Sequence, residues 1–448
     1  MKLGLDNIRP CLEGGIPGVL ATCSPDGVPN VTLVSQVYRA DAEHVALSFQ
    51  FFNKTRENIL ANPRATVQLI HPVTAARFRM SLHYERTESA GPLFERMKAQ
   101  LSGIASHTGM NGIFHLRGAD IYRVVSIEAL PGPVIDQPAC AGTPVPGLRA
   151  ICQQIVAITD LDHLLEVLLA ELERHMDFRH SMVLLADAAD RKLYTVATRG
   201  FSSSGVGAEI PLGAGVIGVA AEQRTPIRVS HATAEYAYSR AVRDALLAQG
   251  QVESLETEIP FPGLPSPRSQ LAVPIVAADA LLGVLYVESP VDQRFSYDDE
   301  DALLVIASLL AVKLPGLSEA DDDAADDRGG AEPAATGEDP SAPVTVRCFT
   351  HDHSVFIDND YLIKGVAGAV LWKLLSVYQQ DQRVDFSNRE LRRDGSLRLP
   401  DIVDNLEARL ILLKRRLDER CPFIRIEKTG RGRFRLVVTR RLVLDGQG

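Results

Sequence analysis

A short polar segment between an aromatic run and an Asn-Pro pair contains the residues best suited to bind an anion. It reads FFNKTRENILANP and brings Lys54, Thr55 and Arg56 to the point where a strand pattern ends and a helix pattern begins. Unpaired backbone N–H groups and the helix dipole favour an anion at such a start. A lysine and a hydroxyl add charge and a hydrogen-bond donor. A plain polar helix start on a surface loop is the alternative that the spacing leaves open.

Cysteines and histidines lack the spacing of metal ligands. The six cysteines contain no CxxC pair, which favours reduced, mostly buried thiols over a zinc or iron–sulfur site. The histidines of the first domain could be ligands by residue type, but none is paired at ligand spacing. They are interpreted as surface or core histidines, and no metal site is predicted. These residues are His71, His83, His107 and His115.

The chain divides where its composition changes. Its 448 residues exceed one ordinary domain, and 46% apolar with 23% charged residues is a normal globular balance. Residues 317–343 hold nine acidic residues and one arginine, which predicts an acidic disordered linker because little apolar surface can be buried. Five prolines and three glycines interrupt residues 130–147. The predicted domains are 1–130, 148–316 and 344–448.

Charge is distributed unequally over these domains. The chain carries −10, but residues 344–448 contain 20 Lys and Arg against 14 Asp and Glu, or +6, which leaves −16 for residues 1–343. The longest apolar runs are too short to span a bilayer, and the N-terminus lacks the apolar core of a signal peptide. A cytoplasmic protein with a basic C-terminal domain is therefore expected.

The first domain alternates strand patterns with turns. Pro25-Asp26-Gly27 separates two strand-like runs, and four more runs follow before residue 130. Helix patterns interrupt the strands at about 55–61 and 92–106. Six short strands with two helices predict a small barrel with helical inserts.

Three segments of this domain resemble the pyridoxamine 5′-phosphate oxidase-like family of FMN-binding split barrels. They read GVLATCSPDGVPNVTLVSQV, LSFQFFNKTRENILANPRATVQL and GADIYRVVSIE, within residues 8–128. The resemblance implies FMN as cofactor, with its phosphate held just before the helix that ends at Asn62-Pro63. The cofactor-binding residues that it implies are Val34, Ser35, Gln36, Gln50, Asn53, Lys54 and Thr55.

The family's Arg- and Trp-bearing substrate tail has no equivalent before the proline break, so vitamin B6 oxidation is not expected. Relatives in this family bind haem or a deazaflavin, and both cofactors stay open beside FMN.

The middle domain resembles a GAF domain. The likeness rests on IPLGAGVIGVAAEQRTPIRVS, SQLAVPIVAADALLGVLYVES and FSYDDEDALLVIASLLA. It implies a ligand pocket under a lid whose candidate residues are His231, Tyr236, Tyr238 and Arg240. A ligand-free dimerisation and coupling module is the open alternative. The last helix, capped by Ser296, is apolar around most of its girth, which favours a homodimer seam with the 148–158 helix.

The third domain resembles the winged-helix effector of OmpR-type response regulators. It reads strand, three helices and hairpin, with a Ser387–Glu390 capping box. The resemblance places the third helix, 401–420, in the DNA major groove and the hairpin on the backbone. That helix has five basic and five acidic residues, so flanking arginines are expected to supply affinity. The predicted DNA-binding residues are Arg392, Arg393, Asn405, Arg409, Arg416, Lys428, Arg431 and Arg433.

The fold class expected is a multidomain α+β protein: a split β-barrel, a GAF α/β sandwich and a winged helix. The function expected is a dimeric one-component transcriptional regulator that binds FMN, and possible occupancy of the GAF pocket by a small ligand adds a second input. A flavin-dependent oxidoreductase with regulatory GAF and C-terminal domains is the alternative from the enzyme class. A haem-binding relative is a third reading.

Overall fold

The computed structural model describes residues 3–12, 16–34, 37–49, 53–72, 74–107, 116–135, 144–187, 190–229, 259–291, 294–319, 343–397 and 406–447. These ranges form three units in chain order, each built on its own sheet or sheets. The helices in them are α1 (Asn53–Ala61), α2 (Pro92–His107), α3 (Val145–Ala157), α4 (Leu161–Met176), α5 (Gly215–Gln223), α6 (Tyr297–Glu319), α7 (Gly365–Asp381), α8 (Asn388–Arg393) and α9 (Leu406–Arg420).

The first unit is a seven-stranded antiparallel sheet with α1 and α2 inserted between strands. Its strands are β1 (Gly18–Cys23), β2 (Pro29–Val34), β3 (Val37–Arg39), β4 (His44–Phe49), β5 (Arg64–Ile70), β6 (Arg77–Glu88) and β7 (Gly118–Leu130). They pair in the order β2-β1-β5-β6-β7-β4-β3. A 3₁₀ helix, Leu5–Leu12, precedes them and buries Leu5, Ile8 and Leu12 against the barrel core.

The prediction for this unit was one strand short. The turn at Pro25-Asp26-Gly27 is confirmed: the Gly27 N–H donates to the Ser24 carbonyl over 3.0 Å, and Gly27 has φ 85°. The difference arises beyond it, where β2 ends at Val34 and β3 resumes at Val37 as a separate short strand beside β4. Strands β6 and β7 are long, not short, and pair with each other along most of their length.

The second unit is a six-stranded antiparallel sheet in the order β10-β9-β8-β13-β12-β11. Its strands are β8 (His180–Asp187), β9 (Lys192–Arg199), β10 (Glu209–Pro211), β11 (Ile227–Val229), β12 (Ser269–Ala277) and β13 (Ala280–Ser289). Both faces are buried, because Val183 and Leu185 join the core under α3, α4 and α6, whereas Met182 and Leu184 join the core under α5. The strands therefore read as nearly continuous apolar runs.

Two helix caps in this unit follow the sequence prediction. The Asp160 carboxylate accepts the His163 N–H over 2.9 Å at the start of α4, and the Ser296 hydroxyl accepts the Asp299 N–H over 3.2 Å at the start of α6. The apolar stripe of α4 is buried as predicted. Helix α6, in contrast, has two distinct faces: Leu303 is buried, whereas Val305 and Val312 are 49% and 78% exposed.

The barrel and the second unit share a packed contact. Helix α2 lies across α5, and Ala99 of α2 is 1% exposed inside the cluster that contains Val216 and Ile217 of α5. The Arg9 guanidinium lies 4.1 Å from the ring centroid of Tyr297 and 3.2 Å from the Asp301 carboxylate. The helical insert of one unit thus covers part of the sheet face of the next.

The third unit combines three helices with two small sheets. Its strands are β14 (Val344–Phe349), β15 (Ser354–Ile357), β16 (Asp360–Ile363), β17 (Asp385–Ser387), β18 (Ile424–Gly430), β19 (Arg433–Val438) and β20 (Leu442–Gln447). The order of three helices followed by the β18–β19 hairpin agrees with the predicted element order, and the Ser387 cap on Glu390 forms over 3.3 Å. The winged-helix assignment itself stays a prediction.

Two features of this region differ from the prediction. Strand β20 pairs in parallel with β14, from Val344 opposite Leu442 onward, and completes a four-stranded sheet. Helix α6 continues to Glu319, with Leu317 9% exposed in the core, so the first residues of the predicted linker belong to the helix. Residues 320–342 of that linker, and residues 401–405 of the predicted third helix, lie outside the described ranges.

Candidate functional site

The first turn of α1 presents a cation without a neighbouring acid. Helix α1 begins at Asn53, close behind the end of β4, and its first turn contains no acidic residue. The Lys54 side chain is 58% exposed, and its Nζ lies 3.5 Å from the Glu57 carboxylate one turn on. An exposed ion pair of this kind is weak, so Lys54 can turn to an anion at the positive end of the helix dipole.

Thr55 faces the barrel. Its side chain is 5% exposed, and its hydroxyl accepts a hydrogen bond of 2.9 Å from the Asn30 amide on β2. Asn58, also on the inner face of α1, donates to the Thr22 hydroxyl of β1 over 3.1 Å. These bonds fasten α1 to the β1–β2 pair. Because the Thr55 hydroxyl accepts the Asn30 bond, its proton is what it has left to offer to a ligand.

Arg56 points to the other side of the helix, toward β6 and β7. Its Nη1 donates to the Thr87 hydroxyl over 3.0 Å and to the Asp120 carboxylate over 2.9 Å. Thr87 also donates to Asp120 and contacts the Tyr84 hydroxyl at 2.7 Å. Burial raises the pKa of Asp120, although the Thr87 hydrogen bond and the Arg56 charge act against it. Within the Lys-Thr-Arg triplet, therefore, Lys54 is the side chain directed to solvent.

Of the other residues predicted to hold a flavin, Val34 is described: it ends β2 and is 1% exposed. Ser35, Gln36 and Gln50 lie outside the described residues, and for Asn53 the structure gives the backbone position as the first residue of α1. These assignments stay predictions.

The histidines do not converge. His71 Nδ1 accepts the Thr74 N–H over 3.2 Å, and burial lowers the pKa of His71. His83 lies on β6, His107 ends α2 and His115 is outside the described ranges. Over the part of the chain that the structure describes, no group of three or more His, Cys, Asp or Glu side chains is placed to hold a metal ion.

The predicted pocket residues of the middle unit, His231, Tyr236, Tyr238 and Arg240, all fall in residues 230–258, outside the described ranges. A polar group that sequence reasoning missed lies on the sheet nearby. Glu288 of β13 is 3% exposed and accepts hydrogen bonds from the Tyr286 hydroxyl and the Leu264 N–H, 2.8 and 2.5 Å long. Gln270 Oε1 beside it is buried and has no partner among the described residues.

The predicted DNA-binding residues fall into two groups. Arg393, Arg431 and Arg433 are exposed, and Arg392 is half-buried. Arg409 and Arg416 are not on an accessible flank of the third helix, as the sequence suggested, since their exposures are 7% and 5%. The Arg416 guanidinium donates to the Leu362 carbonyl of β16 over 3.1 Å, and burial lowers its pKa. Asn405 is outside the described residues.

Arg409 is buried because α9 packs against the middle unit. Its guanidinium lies 2.5 Å from the Asp187 carboxylate and 4.0 Å from the centroid of the Tyr194 ring. Lys428 on the hairpin pairs with Asp160 at the start of α4. A role for these residues in DNA binding stays a prediction, and it requires an arrangement in which α9 has left this contact.

Two family models match the chain, in the regions that carry these folds. Residues 5–122 match the model described as pyridoxamine 5′-phosphate oxidase, and residues 160–314 match the GAF domain model. The chain thus carries a domain of the pyridoxamine 5′-phosphate oxidase family at its N-terminus, followed by a GAF domain. Neither match extends over residues 343–447. No curated protein matches the chain.

Solved structures resemble single parts of the chain. The GAF domain of an Acinetobacter phosphoenolpyruvate-protein phosphotransferase is 19% identical, covers 41% of this chain and 97% of its own, and has a TM-score of 0.31. An FMN-binding protein from Syntrophomonas wolfei is 14% identical over 29% of this chain and 86% of its own, with a TM-score of 0.25. Group A Streptococcus HupZ gives 20%, 27%, 93% and 0.22. At these scores the domain assignment rests on the family models.

Among the helices of the described ranges, none combines the length and the apolar character needed to cross a membrane.

Proposed function

We propose that this chain is a flavin-binding sensor that regulates transcription through DNA binding by its C-terminal unit. The observation that carries the proposal is the exposed Lys54 in the acid-free first turn of α1, on a domain of an FMN-binding family. The barrel is joined by packing to a GAF domain, and a basic unit follows. The arrangement supports a sensor better than an enzyme, because no substrate-binding tail of the oxidase type was found in the sequence.

The residues described around α1 fit a flavin phosphate. Lys54 would supply the charge, the N–H groups of the first turn of α1 would supply donors, and Asn30 and Asn58 hold the helix in place from below. A bound flavin would supply reversible two-electron redox chemistry and a visible absorption spectrum. This chain's own part is to bind and orient the group.

The absorption spectrum of the purified protein tests the cofactor proposal. Flavin bands, with FMN released on denaturation in about one-to-one ratio to the chain, support it. A Soret band would assign haem instead, and the absence of any chromophore after reconstitution with FMN would refute cofactor binding by the barrel.

The exposed arginines of α8 and the hairpin support the DNA proposal. Arg393, Arg431 and Arg433 are placed around α9 at positions suited to phosphate contacts. Phosphate contacts make affinity depend on salt, since each one releases counterions from the DNA. Binding to DNA from the chain's own promoter region, measured by gel shift at two salt concentrations, is the test. Absence of salt-sensitive binding would retire the DNA-binding role.

A homodimer through α6 is part of the same proposal. Within one chain α3 already covers part of α6, and Lys313 Nζ donates to the Val156 and Ile158 carbonyls over 2.7 and 2.8 Å. The exposed valines Val305 and Val312, together with Val156, leave an apolar strip on the outside of this helix pair.

A Val312→Asp substitution is expected to shift the chain from dimer to monomer. It places a charge in the strip, where burial in an interface would cost several kcal/mol. Sedimentation velocity over a range of concentrations measures the effect. Ser308→Asp, one turn away on the same helix, indicates how far the seam extends. A Val312→Asp protein that dimerises like wild type would show that α6 is not the interface.

A further inference from the structure

Helix α9, the helix expected to enter DNA, is packed on the GAF domain. Leu412 and Arg416 of α9 approach Gly207, in the loop that joins β9 to β10, and α9 also contacts α4 and β9. Buried side chains of α4 and α9, among them Leu168 and Leu413, belong to one continuous apolar cluster. The C-terminal unit is therefore seated on the GAF domain, although the sequence connects them through an acidic linker.

Ion pairs of one polarity line this contact. Asp162, in the first turn of α4, lies 2.9 Å from Lys414 Nζ and 2.6 Å from Arg415 Nη2. Arg415 also donates to the Val196 carbonyl of β9 over 2.8 Å. The Arg415 and Asp162 side chains are 17% and 20% exposed. Partly buried pairs are screened less by salt than surface pairs, so this one contributes to the contact at physiological ionic strength.

Two more acids of the GAF domain repeat the pattern. Asp187 at the end of β8 holds Arg409, with side-chain exposures of 11% and 8%, and Asp160 holds Lys428 of the hairpin. Tyr194 adds its ring face to the Arg409 guanidinium. We call Asp160, Asp162, Asp187 and Tyr194 the docking face.

The electrostatics of the docking face agree with its geometry. Burial acts to raise the pKa of Asp162, but hydrogen bonds from Lys414 and the charge of Arg415 outweigh it, so the pKa lies below the usual value. Burial likewise opposes ionisation of Asp187, and the Arg409 charge reverses the effect and lowers its pKa. Both carboxylates are thus held ionised by cations that come from the C-terminal unit.

We infer that the docking face occupies the basic surface of α9 and the hairpin in competition with DNA, and so holds the effector in a closed state. Three carboxylates stand where phosphates would stand in a complex. A guanidinium engaged by a buried carboxylate is not available to a phosphate, so docking and DNA binding exclude each other. This inference rests on the DNA-binding role proposed above and names its regulation.

The contact is built to be reversible. An open cavity of about 640 Å³ lies beside it, lined by residues of both units that include Gly205, Pro260, Tyr361 and Arg416. The interface is polar and incompletely packed there, as contacts between separable domains are. A change in the GAF domain that moved α4 or β9 would act directly on the docking face.

An Asp162→Lys variant of the full chain tests this inference. It replaces one attraction to two cations by repulsion, and Asp298→Lys is the matched control because Asp298 is an exposed aspartate in the first turn of α6. Asp187→Asn is the second variant, since it unpairs Arg409 with little change of shape. Far-UV circular dichroism verifies that each protein is folded.

Two measurements are made on each protein: the radius of gyration by small-angle scattering, and affinity for a mixed-sequence DNA duplex by fluorescence anisotropy at low and physiological salt. Both docking-face variants are expected to expand and to bind DNA about tenfold more tightly, because apparent affinity scales with the open fraction. Asp298→Lys is expected to match wild type in both.

The outcomes separate the inference from the function it rests on. Salt-sensitive DNA binding that is equal in wild type and in both docking-face variants would overturn the closed state and leave the DNA-binding role intact. Expansion without any DNA binding, in every variant and at both salt concentrations, would overturn the competition with DNA together with that role. Unchanged dimensions in folded Asp162→Lys and Asp187→Asn proteins would show that the docking face does not hold the effector.

Discussion

A Gly200→Ala substitution is expected to unfold the β8–β9 region of the GAF domain. Gly200 follows β9 with φ 86°, and an added Cβ would overlap the backbone carbonyl of Arg179 at the start of β8. A backbone carbonyl cannot move aside as a flexible side chain can, so the cost combines steric overlap with an unfavourable φ. We expect a loss of at least about 4 kcal/mol, in the range reserved for severe core defects. Native-state hydrogen exchange of β8 and β9 amides measures it within the full chain.

Gly215→Ala is the matched control. Gly215 has φ 61° in the same domain, but an added Cβ there meets nothing within 4 Å. Its substitution should cost about 1–2 kcal/mol for the left-handed backbone conformation alone. Equal losses at the two positions would mean that the close approach of Gly200 to β8 contributes nothing. Because β9 carries Tyr194 of the docking face, Gly200→Ala should also release α9.

Replacing Lys54 by alanine is expected to weaken FMN binding by about 10- to 100-fold. Hydrogen bonds to charged groups contribute about 1.5–3 kcal/mol, and each 1.4 kcal/mol is tenfold in affinity. The measurement is titration of flavin-free protein with FMN, followed by flavin fluorescence, and riboflavin provides a ligand without the phosphate. The loss should appear with FMN and be absent with riboflavin.

The chain supplies a close control for Lys54→Ala. Lys98 on α2 is 51% exposed and pairs with Glu95 three residues earlier over 3.6 Å, as Lys54 pairs with Glu57 three residues later. Lys98→Ala should leave FMN affinity within about twofold of wild type, the scale of a weak surface pair. Equal affinity in the two variants would remove Lys54 from the phosphate site. Thr55→Ala is a poorer probe, because it leaves the buried Asn30 amide without its partner.

Local signals in the sequence predicted local structure correctly. The caps at Asp160, Ser296 and Ser387 form as expected, since donor and acceptor lie within one helical turn and no distant residue decides the outcome. The turn at Pro25-Asp26-Gly27 and the buried stripe of α4 are of the same kind. The two family matches cover the domains that motif resemblance had indicated.

Non-local pairings were beyond the sequence. Strand β20 was missed because a short run of Leu-Val-Leu gives no hint of a partner about 100 residues earlier in the chain. The inward direction of Thr55 and Arg56 depends on Asn30 and Asp120, which meet α1 through tertiary packing alone. The docking face did leave one trace, the excess of acidic charge before residue 344 and of basic charge after it. Charge counts suggest that two surfaces attract, but they do not say which helices meet.

The packing of α2 against α5 has a consequence for how this protein can be divided. A fragment that ends at the proline-rich segment would keep α2 but lose its cover, and so expose the apolar surface around Ala99 that the GAF domain buries. Such a fragment invites self-association, and its cofactor content would reflect aggregation as well as affinity. The barrel and the GAF domain are better inherited, expressed and engineered as a single piece, with any cut placed after α6.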